Sequence, residues 1–323
     1  MSRISKNQLA SMLQELLEEL PKALNKPFLN NSFLNNSFLN NSQTPLNLWQ
    51  IESINTGLNN QLWLLSEPNS MQKLVCRITQ ANNALTKNSQ NGIRLQQQLS
   101  DTGISAKVHY HSQMNDISIT LMDYIEGTTD SANHWSEQQR KTFAEQLASL
   151  HQSATELPLE RLDITTHLNG YIQKLKGKLD RQKLVAYQQA IKEISQQIEQ
   201  TNESFSAIAP QITPVIAQQG ICHNDLNQLN IVYSRTEQQF VLIDWDEARI
   251  GDCFFDLASF TIEHKLNQAQ THQWLKYYVS ERNQNPNRPI DFAQIIDKLN
   301  VYQRAYRLTC ELWHHLYQSN INY

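Results

Sequence analysis

The residues best suited to chemistry lie in one stretch near the middle of the chain. His223, Asp225 and Asn230 follow the pattern H-x-D-x-x-x-x-N in HNDLNQLN, and Asp244 follows in VLIDWD. Mg²⁺ prefers oxygen ligands and is usually held by one or two carboxylates together with phosphate oxygens. A further carboxylate can accept a proton from a hydroxyl or orient it. The set favours phosphoryl transfer, which needs a metal ion on the phosphate and a base beside the attacking hydroxyl.

The surrounding sequence predicts how these side chains are positioned. Residues 231–233 and 240–243 are apolar, β-branched or aromatic, and a polar turn separates them, so we expect a β-hairpin. Asp244 follows the second strand, and the hairpin returns it towards the loop with Asp225 and Asn230. Asp and Asn also cap ordinary turns. Their joint order on these elements favours the chemical interpretation.

The same segment resembles a known family. HNDLNQLNIVY followed by LIDWDEARIGDCFFDLASF is similar to the aminoglycoside phosphotransferase and choline kinase superfamily, and FDLASFTIEH is most similar to its choline/ethanolamine kinase and thiamine kinase branches. These are small-molecule kinases with a protein-kinase-like fold, whose spacing carries a catalytic Asp, a metal-binding Asn and a second metal-binding Asp. The resemblance implies that Asp225 is catalytic and that Asn230 and Asp244 bind Mg²⁺.

The segment around Gly57 predicts a nucleotide-binding loop. Strands are expected at residues 49–56, 61–66 and 73–78, and the first two flank Thr56-Gly57-Leu58-Asn59-Asn60. A glycine-bearing loop between two strands can cover phosphate groups with backbone N–H groups. The pattern G-L-x-N resembles the family's phosphate loop, often G-G-L-[ST]-N, with Thr56 in place of the first glycine. The resemblance implies that Gly57 and Asn60 contact ATP.

Arg77 lies on the third expected strand, in LVCRI. Protein kinases place a Lys there to pair with ATP phosphates, and the choline and thiamine kinases resemble this chain in using Arg, whose planar guanidinium matches phosphate oxygens. A solvated strand charge is the alternative. The family's next helix often carries a Glu that pairs with this residue. The expected helix, residues 83–100, has no Asp or Glu, so either Gln90 or Gln97 replaces it or the pair is absent.

Several residues beyond the central motif have two interpretations. Asp246 is either an acid near the substrate or metal, or a solvated turn residue. Asp256 precedes an apolar helix and is expected to accept backbone N–H groups and to hold the catalytic loop. His151, in LASLHQ, and Cys222 are expected to be structural, although Cys222 beside His223 also fits a nucleophile.

The last expected helix carries an aromatic stripe. Its members are Tyr302, Tyr306, Trp313 and Tyr317. Such a stripe usually packs in a core. Alternatively it forms a wall for a cationic substrate, since an ammonium over aromatic faces gains about 0.5–2 kcal/mol. Glu263, Asp291 and Glu311 would add negative charge, so Glu263 and Trp313 are candidate substrate contacts.

Composition excludes several classes of function. The chain has 323 residues, 40% hydrophobic and 18% charged, with a net charge of −4 and no basic block, so we expect no nucleic-acid partner. No apolar run is long enough for a membrane span. The first residues lack the apolar region of a signal peptide. Four cysteines stand far apart without C-x-x-C spacing, which predicts reduced thiols in a cytoplasmic protein.

The N-terminal region differs from the rest. An amphipathic helix is expected at residues 4–24, and residues 28–42 are three copies of FLNNS. Asn-Asn-Ser favours turns, so we interpret the repeat as an insertion in a loop, where insertions are tolerated. The predicted organisation is an N-terminal segment (1–45), a nucleotide-binding lobe (46–126) and a catalytic, substrate-binding lobe (127–323).

These patterns predict an α+β, bilobal, protein-kinase-like fold, with a small antiparallel-sheet first lobe and a mainly helical second lobe. The predicted function is ATP- and Mg²⁺-dependent phosphorylation of a hydroxyl on a small cationic metabolite: choline or ethanolamine, with thiamine close behind. One alternative is an aminoglycoside phosphotransferase, which needs a wide acidic pocket. Another is an inactive kinase fold used for binding. The intact Asp225, Asn230 and Asp244 argue against the latter, while the missing helix Glu and the altered glycine loop argue weakly for it.

Overall fold

The computed structural model describes residues 8–9, 11, 33–34, 49–56, 60–80, 86–114, 117–208, 219–282 and 292–321. These residues form two compact units. The N-unit contains the described residues up to Gly127, together with Ser234–Glu237 and Val241–Asp246. The C-unit contains the described residues of Thr128–Tyr233, Gln238–Phe240 and Glu247–Tyr323.

The N-unit is built on a six-stranded sheet. Its strands in chain order are β1 (Phe33–Leu34), β2 (Gln50–Thr56), β3 (Asn60–Ser66), β4 (Lys73–Gln80), β5 (Val108–Met114) and β6 (Ile117–Asp123). The spatial order is β1-β5-β6-β4-β3-β2, and neighbouring strands are antiparallel. In β3, the buried Trp63 and Leu65 alternate with more exposed residues. This two-residue period fixes the register, since a slip by one residue would turn the buried side chains outward.

Apolar residues on the strands form the core of the N-unit. The cluster contains Leu9, Trp49, Ile51, Trp63, Leu65, Leu74, Cys76, Ile78, Ile119 and Leu121. Helix α1 (Thr86–Leu99) buries Ile93, Leu95 and Leu99, as its sequence predicts. Gly92 faces the backbone of Trp245, and a Cβ atom there would lie 2.4 Å from the Trp245 carbonyl oxygen. Only glycine permits this approach, which fixes the segment around Trp245 against α1.

Part of the FLNNS repeat forms a strand where the sequence predicts a loop. Phe33 and Leu34, from the second copy, are β1 and pair with His111 and Tyr110 of β5. An edge strand has unpaired backbone N–H and C=O groups, and even two added residues can satisfy some of them. The loop prediction is therefore wrong for Phe33–Leu34. The rest of the repeat and most of the predicted helix at residues 4–24 lie outside the described residues.

The C-unit is mainly helical. Its helices are α2 (Glu137–Gln152), α3 (Ile164–Leu175), α4 (Arg181–Ile208), α5 (Phe254–Glu263), α6 (Gln268–Arg282) and α7 (Phe292–Ile321). Helix α2 begins with a capping box in which Ser136 and Gln139 exchange side-chain-to-backbone hydrogen bonds. The apolar face predicted for α2 is buried. An aromatic cluster of Trp135, Phe143, Phe240, Phe260 and Trp274 forms the centre of this core.

Two short sheets carry the central motif. Strands β8 (Gln219–Cys222) and β11 (Arg249–Asp252) are antiparallel, with Cys222 opposite Arg249. The other sheet has the order β10-β9-β7, formed by Gln239–Leu242, Ile231–Ser234 and Gly127–Thr128. The predicted hairpin at β9 and β10 is confirmed, and so is the predicted α+β fold. In the part of the chain that the structure describes, no helix has the length and hydropathy needed to cross a membrane.

Candidate active site

Asp225 lies in the loop that follows β8, and both of its carboxylate oxygens are hydrogen-bonded. Asn230 Nδ2 donates to Asp225 Oδ2 at 2.7 Å and to the Asp225 carbonyl oxygen at 3.0 Å. Asn227 Nδ2 donates to Asp225 Oδ1 at 2.9 Å. Two neutral amides therefore fix the orientation of the carboxylate and leave it without an adjacent cation among these contacts. Such a carboxylate is available to accept a proton.

Asp256, in the first turn of α5, holds the loop from behind. Its Oδ2 accepts the backbone N–H of His223 at 2.8 Å, and its Oδ1 accepts the backbone N–H of Asn224 at 2.7 Å. Asn224 has a φ of 65° and donates its side-chain N–H to the carbonyl oxygen of Glu247 at 2.8 Å. The prediction that Asp256 accepts backbone N–H groups and holds this loop is confirmed, and the amides come from the loop before Asp225.

His151, near the end of α2, completes this buried network. Its Nε2 lies 3.1 Å from Asp256 Oδ2, and its Nδ1 lies 2.7 Å from the Tyr278 hydroxyl. Burial lowers the pKa of His151, but Cys253 and Asp256 outweigh burial and raise it to about 9. The protonated ring therefore faces the buried carboxylate that anchors the loop. The expectation of a structural role for His151 agrees with these contacts.

Arg77 is the centre of an acidic cluster in the N-unit. Its guanidinium forms a hydrogen-bonded ion pair with Asp246 and lies 3.5 Å from Asp244 Oδ1. Burial lowers the pKa of Arg77, but Asp246 and Asp244 outweigh burial and raise it. Asp246 therefore supplies the carboxylate that the sequence of α1 lacks. Gln90, one of the two predicted substitutes, donates to Gln113 instead.

The turn that carries Asp244 and Asp246 is fixed by contacts within the N-unit. The backbone N–H of Leu242 donates to Ile104 O at 2.8 Å, and Trp245 Nε1 donates to Leu242 O at 3.1 Å. Asp244 has a φ of 63°, a left-handed conformation, and its side chain is 44% exposed. Asp246 Oδ1 is buried and has no hydrogen bond among the described residues.

The remaining residues predicted to contact the nucleotide have different positions. Asn60 begins β3, and its Oδ1 accepts a hydrogen bond from Thr79 Oγ1 at 2.7 Å, which ties it to β4. Gly57 lies outside the described residues. Helix α1 (Thr86–Leu99) lies within the predicted span of residues 83–100, of which 83–85 lie outside the described residues.

An acidic neighbourhood surrounds Cys310 of α7 in the C-unit. Burial raises the pKa of Cys310, and the carboxylates of Glu263 and Asp225 add to the increase. Glu263, at the end of α5, accepts a hydrogen bond from the Tyr306 hydroxyl at 2.8 Å. Asp225 and Glu263 are thus both close enough to Cys310 to affect its titration.

The same neighbourhood includes Tyr171 of α3. Burial raises the pKa of Tyr171 to about 12, and the carboxylate of Glu247 and the thiol of Cys310 contribute. Asp225 and Glu263 both lie near Cys310, whereas Glu247, near Tyr171, is already paired with Arg249 at 2.9 Å. The two carboxylates near Cys310 favour a positively charged ligand.

The predicted aromatic stripe divides into two parts. Tyr302 and Tyr306 are buried, so they belong to the core. Trp313 is 45% exposed and stacks on Tyr317, with ring centroids 5.3 Å apart and an interplanar angle of 9°. Only this outer pair of the stripe is accessible as an aromatic surface. Glu311 is engaged with Tyr187, whose hydroxyl donates to it at 2.6 Å.

Comparison with protein families identifies the chain. The model of the phosphotransferase enzyme family matches residues 50–290. This chain belongs to that family. Over 283 residues it is 22% identical to ethanolamine kinase 2 of Mus musculus, and the match covers 82% of this chain and 70% of that protein. The chain is a small-molecule phosphotransferase.

Solved structures extend the comparison of the fold. Choline kinase LicA from Streptococcus pneumoniae, whose structure in complex with AMP is also known, shares 18% identity and a TM-score of 0.59, over 84% of this phosphotransferase and 86% of LicA. An aminoglycoside-3′-phosphotransferase of type VIII shares 17% identity and a TM-score of 0.51, over 80% and 93% of the two chains. Amino-alcohol and aminoglycoside kinases both have this fold, so family membership does not select the acceptor.

Some features of the phosphotransferase site have no clear signal in the sequence. Asn227 was not singled out, although it lies within HNDLNQLN and holds one oxygen of Asp225. The ion pair of Arg77 with Asp246 joins residues 169 positions apart. The hydrogen bond between Tyr306 and Glu263 joins two separate helices. The sequence did single out Asp246 as a candidate acid near the substrate or metal, but not as the partner of Arg77.

Proposed function

We propose that this phosphotransferase moves the terminal phosphoryl group of ATP to a hydroxyl of a small cationic metabolite. Ethanolamine or choline is the first candidate acceptor, and thiamine is the next. The observation that carries the proposal is the Asp225 carboxylate, which is fixed by two amides and, like Glu263, lies near Cys310. The names of the relatives support it, because they include ethanolamine and choline kinases and a kinase in complex with AMP.

Asp225 is proposed to act on the acceptor. The acceptor oxygen attacks the terminal phosphorus, the bond from that phosphorus to the oxygen of ADP breaks, and the hydroxyl proton passes to Asp225. Asn227 and Asn230 donate to the two oxygens of this carboxylate and so hold it in one orientation. This arrangement supports a role in positioning the hydroxyl as well as in accepting its proton.

Asn230 and Asp244 are proposed to hold Mg²⁺. Asn230 turns its amide nitrogen to Asp225, and its amide oxygen accepts no hydrogen bond from any other described residue. Asp244 has a largely exposed carboxylate. Carboxylate and amide oxygens are the donors that this hard cation prefers, so the residues fit it. When bound, Mg²⁺ supplies neutralisation of charge on the phosphate oxygens.

Arg77, Gly57 and Asn60 are proposed to bind the nucleotide. The guanidinium of Arg77 is kept charged by Asp246 and Asp244, and a charged guanidinium binds phosphate oxygens in a planar, bidentate way. The ion pair with Asp246 supports a role for that acid in positioning Arg77, rather than at the acceptor. Gly57 lies between the sequences of β2 and β3 and Asn60 is the first residue of β3, so the family's phosphate-loop pattern supports both assignments.

The acceptor is proposed to be a small monocation. Glu263 adds negative charge to that of Asp225 near Cys310, and Trp313 offers an exposed aromatic face on α7. A single ammonium group needs one or two acids and an aromatic face. An aminoglycoside carries several ammonium groups and needs an acid for most of them.

The test is ADP release by the purified full-length protein with ATP, Mg²⁺ and a panel of acceptors. Ethanolamine, choline or thiamine should give turnover well above kanamycin. Asp225→Asn should then reduce kcat by about 10²- to 10⁴-fold, the usual contribution of a positioned general base. Asp101→Asn, the same change at an exposed carboxylate of the N-unit, is the control and should leave kcat unchanged.

Two outcomes would contradict the proposal. Turnover with kanamycin and with no other acceptor would show that the acceptor is an aminoglycoside and not a small cation, while the kinase activity itself would stand. Absence of ADP release with every acceptor, in protein that binds ATP in a calorimeter, would indicate an inactive kinase fold. A Glu263→Gln variant sharpens the acceptor assignment, since it should raise KM for the amino alcohol about 10-fold and leave KM for ATP unchanged.

A further inference from the structure

Three potential metal ligands meet inside the C-unit, behind the loop that carries Asp225. His151 comes from α2, Cys222 from the end of β8 and Cys253 from the start of α5. One ligand atom of each lies within 4.8 Å of the others. All three residues are at most 2% exposed, and neither cysteine is in a disulfide. The proposed transfer of a phosphoryl group uses none of these three side chains.

Glycine makes the close approach of these groups possible. A Cβ atom at Gly220 of β8 would lie 2.3 Å from the carbonyl oxygen of His151 and 3.0 Å from Cys253 Sγ. Cys222 Sγ lies 3.6 Å from the carbonyl oxygens of Gly220 and Gly251, on the two paired strands. The backbone of β8 and β11 therefore packs directly against the two sulfur atoms.

The environment of Cys253 differs from that of a merely buried thiol. A hydrogen bond from Cys222 lowers the pKa of Cys253, and the charge of His151 lowers it further against the effect of burial. Cys76, which is buried in the N-unit, shows the opposite behaviour, because burial raises its pKa to about 12. The thiolate, which is the form of cysteine that binds metals, is thus favoured at Cys253, whereas the hydrogen bond with Cys253 and burial raise the pKa of Cys222.

We propose that His151, Cys222 and Cys253 bind one thiophilic divalent cation of the Zn²⁺ class. Thiolate and imidazole are the preferred ligands of Zn²⁺, at about 2.3 Å for sulfur and 2.0–2.1 Å for nitrogen. Tetrahedral ligands at these distances lie roughly 3.5–3.8 Å apart, so atoms within 4.8 Å need only a small contraction. On binding, the remaining thiol proton of Cys222 and a proton of His151 pass to solvent.

The surroundings already contain the partners that such a site uses. A metal-bound histidine usually donates its other ring N–H to a carboxylate or another acceptor. His151 has Asp256 at one ring nitrogen and Tyr278 at the other, so it keeps one of these partners when the other nitrogen binds the cation. Because Asp256 also accepts the amides of His223 and Asn224, the cation lies next to the anchor of the Asp225 loop.

Co²⁺ and Zn²⁺ binding to the reduced, full-length protein tests the proposal. Entry requires local opening because all three ligands are buried, so the metal is incubated with the protein for minutes to hours before excess is removed. The expected result is one metal ion per chain by elemental analysis. Cobalt should also give a thiolate-to-cobalt charge-transfer band that Zn²⁺ abolishes.

Cysteine variants show which thiols bind. Cys253→Ser should lose the band and the bound metal, and it should fold, because serine differs from cysteine only by oxygen in place of sulfur. Cys222→Ser should behave in the same way. Cys310→Ser and Cys76→Ser are the matched controls, at an exposed thiol and at a buried thiol of the other unit, and both should keep the metal.

Three results would overturn the proposal. The first is a wild-type protein with no charge-transfer band and less than about one-tenth of a metal ion per chain. The second is a Cys253→Ser variant that retains the metal, and the third is a Cys310→Ser variant that loses it. The wild-type measurement decides the matter even if Cys222→Ser fails to fold. None of these measurements depends on turnover, so the result is independent of the proposed reaction.

Discussion

In the sequence Asp246 precedes β11 and Asp256 follows it, and the two side chains have opposite surroundings. Asp256 is fully buried in the C-unit and accepts hydrogen bonds from two backbone amides, with His151 beside it. Asp246 lies in the N-unit with Arg77 as its partner, and its other oxygen has no hydrogen bond among the described residues. A carboxylate whose two oxygens are both hydrogen-bonded holds the backbone in place, whereas a carboxylate with an unbonded oxygen can still bind a ligand. We therefore expect Asp256 to act on stability and Asp246 on substrate binding.

The largest effect should come from Asp256→Ala. Removal of the carboxylate leaves two buried N–H groups and a protonated His151 without their acceptor, which should cost about 3–5 kcal/mol of unfolding free energy. The more conservative Asp256→Asn should cost roughly half as much. Urea unfolding measures both, and kcat should fall in parallel with the loss of loop anchoring. Normal stability of Asp256→Ala would show that the network is not an anchor.

Acid should destabilise both units through buried histidines. Burial lowers the pKa of His264 to about 4, and its Nδ1 accepts the backbone N–H of Ala132 at 2.9 Å. Burial, with Arg77 and Arg94, lowers the pKa of His111 to about 4. The unfolded chain gains these protons near pH 6.5, whereas the folded protein gains them only near pH 4. The contribution of these histidines to the free energy of unfolding is therefore complete above pH 6.5 and is lost as the pH drops towards 4.

The expected acid effect is about 1–2 kcal/mol per histidine between pH 7 and pH 5. Urea titrations at several pH values measure it. His264→Gln and His111→Gln should each remove the pH dependence that its own histidine contributes to the free energy of unfolding. Each variant serves as the control for the other. An unchanged pH dependence in both variants would show that other groups cause the acid sensitivity.

Asp246→Ala should separate binding from stability. Arg77 retains Asp244 but loses its closer partner, so KM for ATP should rise about 10-fold, which corresponds to roughly 1.4 kcal/mol. Arg77 is only 5% exposed but keeps Asp244, so the free energy of unfolding should fall by about 1–3 kcal/mol, less than for Asp256→Ala. Steady-state kinetics with ATP and acceptor varied in turn measure the effect. A rise in KM for the acceptor alone would place Asp246 at the acceptor instead.

Deletion of residues 28–42 should have the smallest effect, because the described part of the repeat, Phe33–Leu34, is only a two-residue edge strand. A change in loop length alone costs little. Loss of Phe33–Leu34 removes one short edge strand from β5. The change in unfolding free energy should stay below about 1 kcal/mol, with kcat unchanged, as measured by thermal melts and ADP release. A larger loss of stability would show that the repeat packs on the sheet.

The contrast between the two aspartates also explains what the sequence could predict. Asp225 and Asn230 are close in the chain, so the sequence could predict that they lie together, and a 2.7 Å hydrogen bond joins them. Asp256 was predicted because the first turn of a helix and a neighbouring loop favour a backbone acceptor. The partner of Arg77 was not predicted, because it depends on how β4 packs near the turn after β10. Nothing in FLNNS predicted that Phe33–Leu34 would pair with β5.

The left-handed backbone of Asp244 has a consequence for engineering. A residue other than glycine with a φ of 63° carries strain on the order of 1 kcal/mol, and glycine would relieve it. A library selected only for heat resistance should therefore enrich Asp244→Gly and discard the carboxylate proposed for the cation. Directed evolution of this protein would therefore raise the melting temperature and reduce turnover through substitution of Asp244, unless each round also selects for formation of the product.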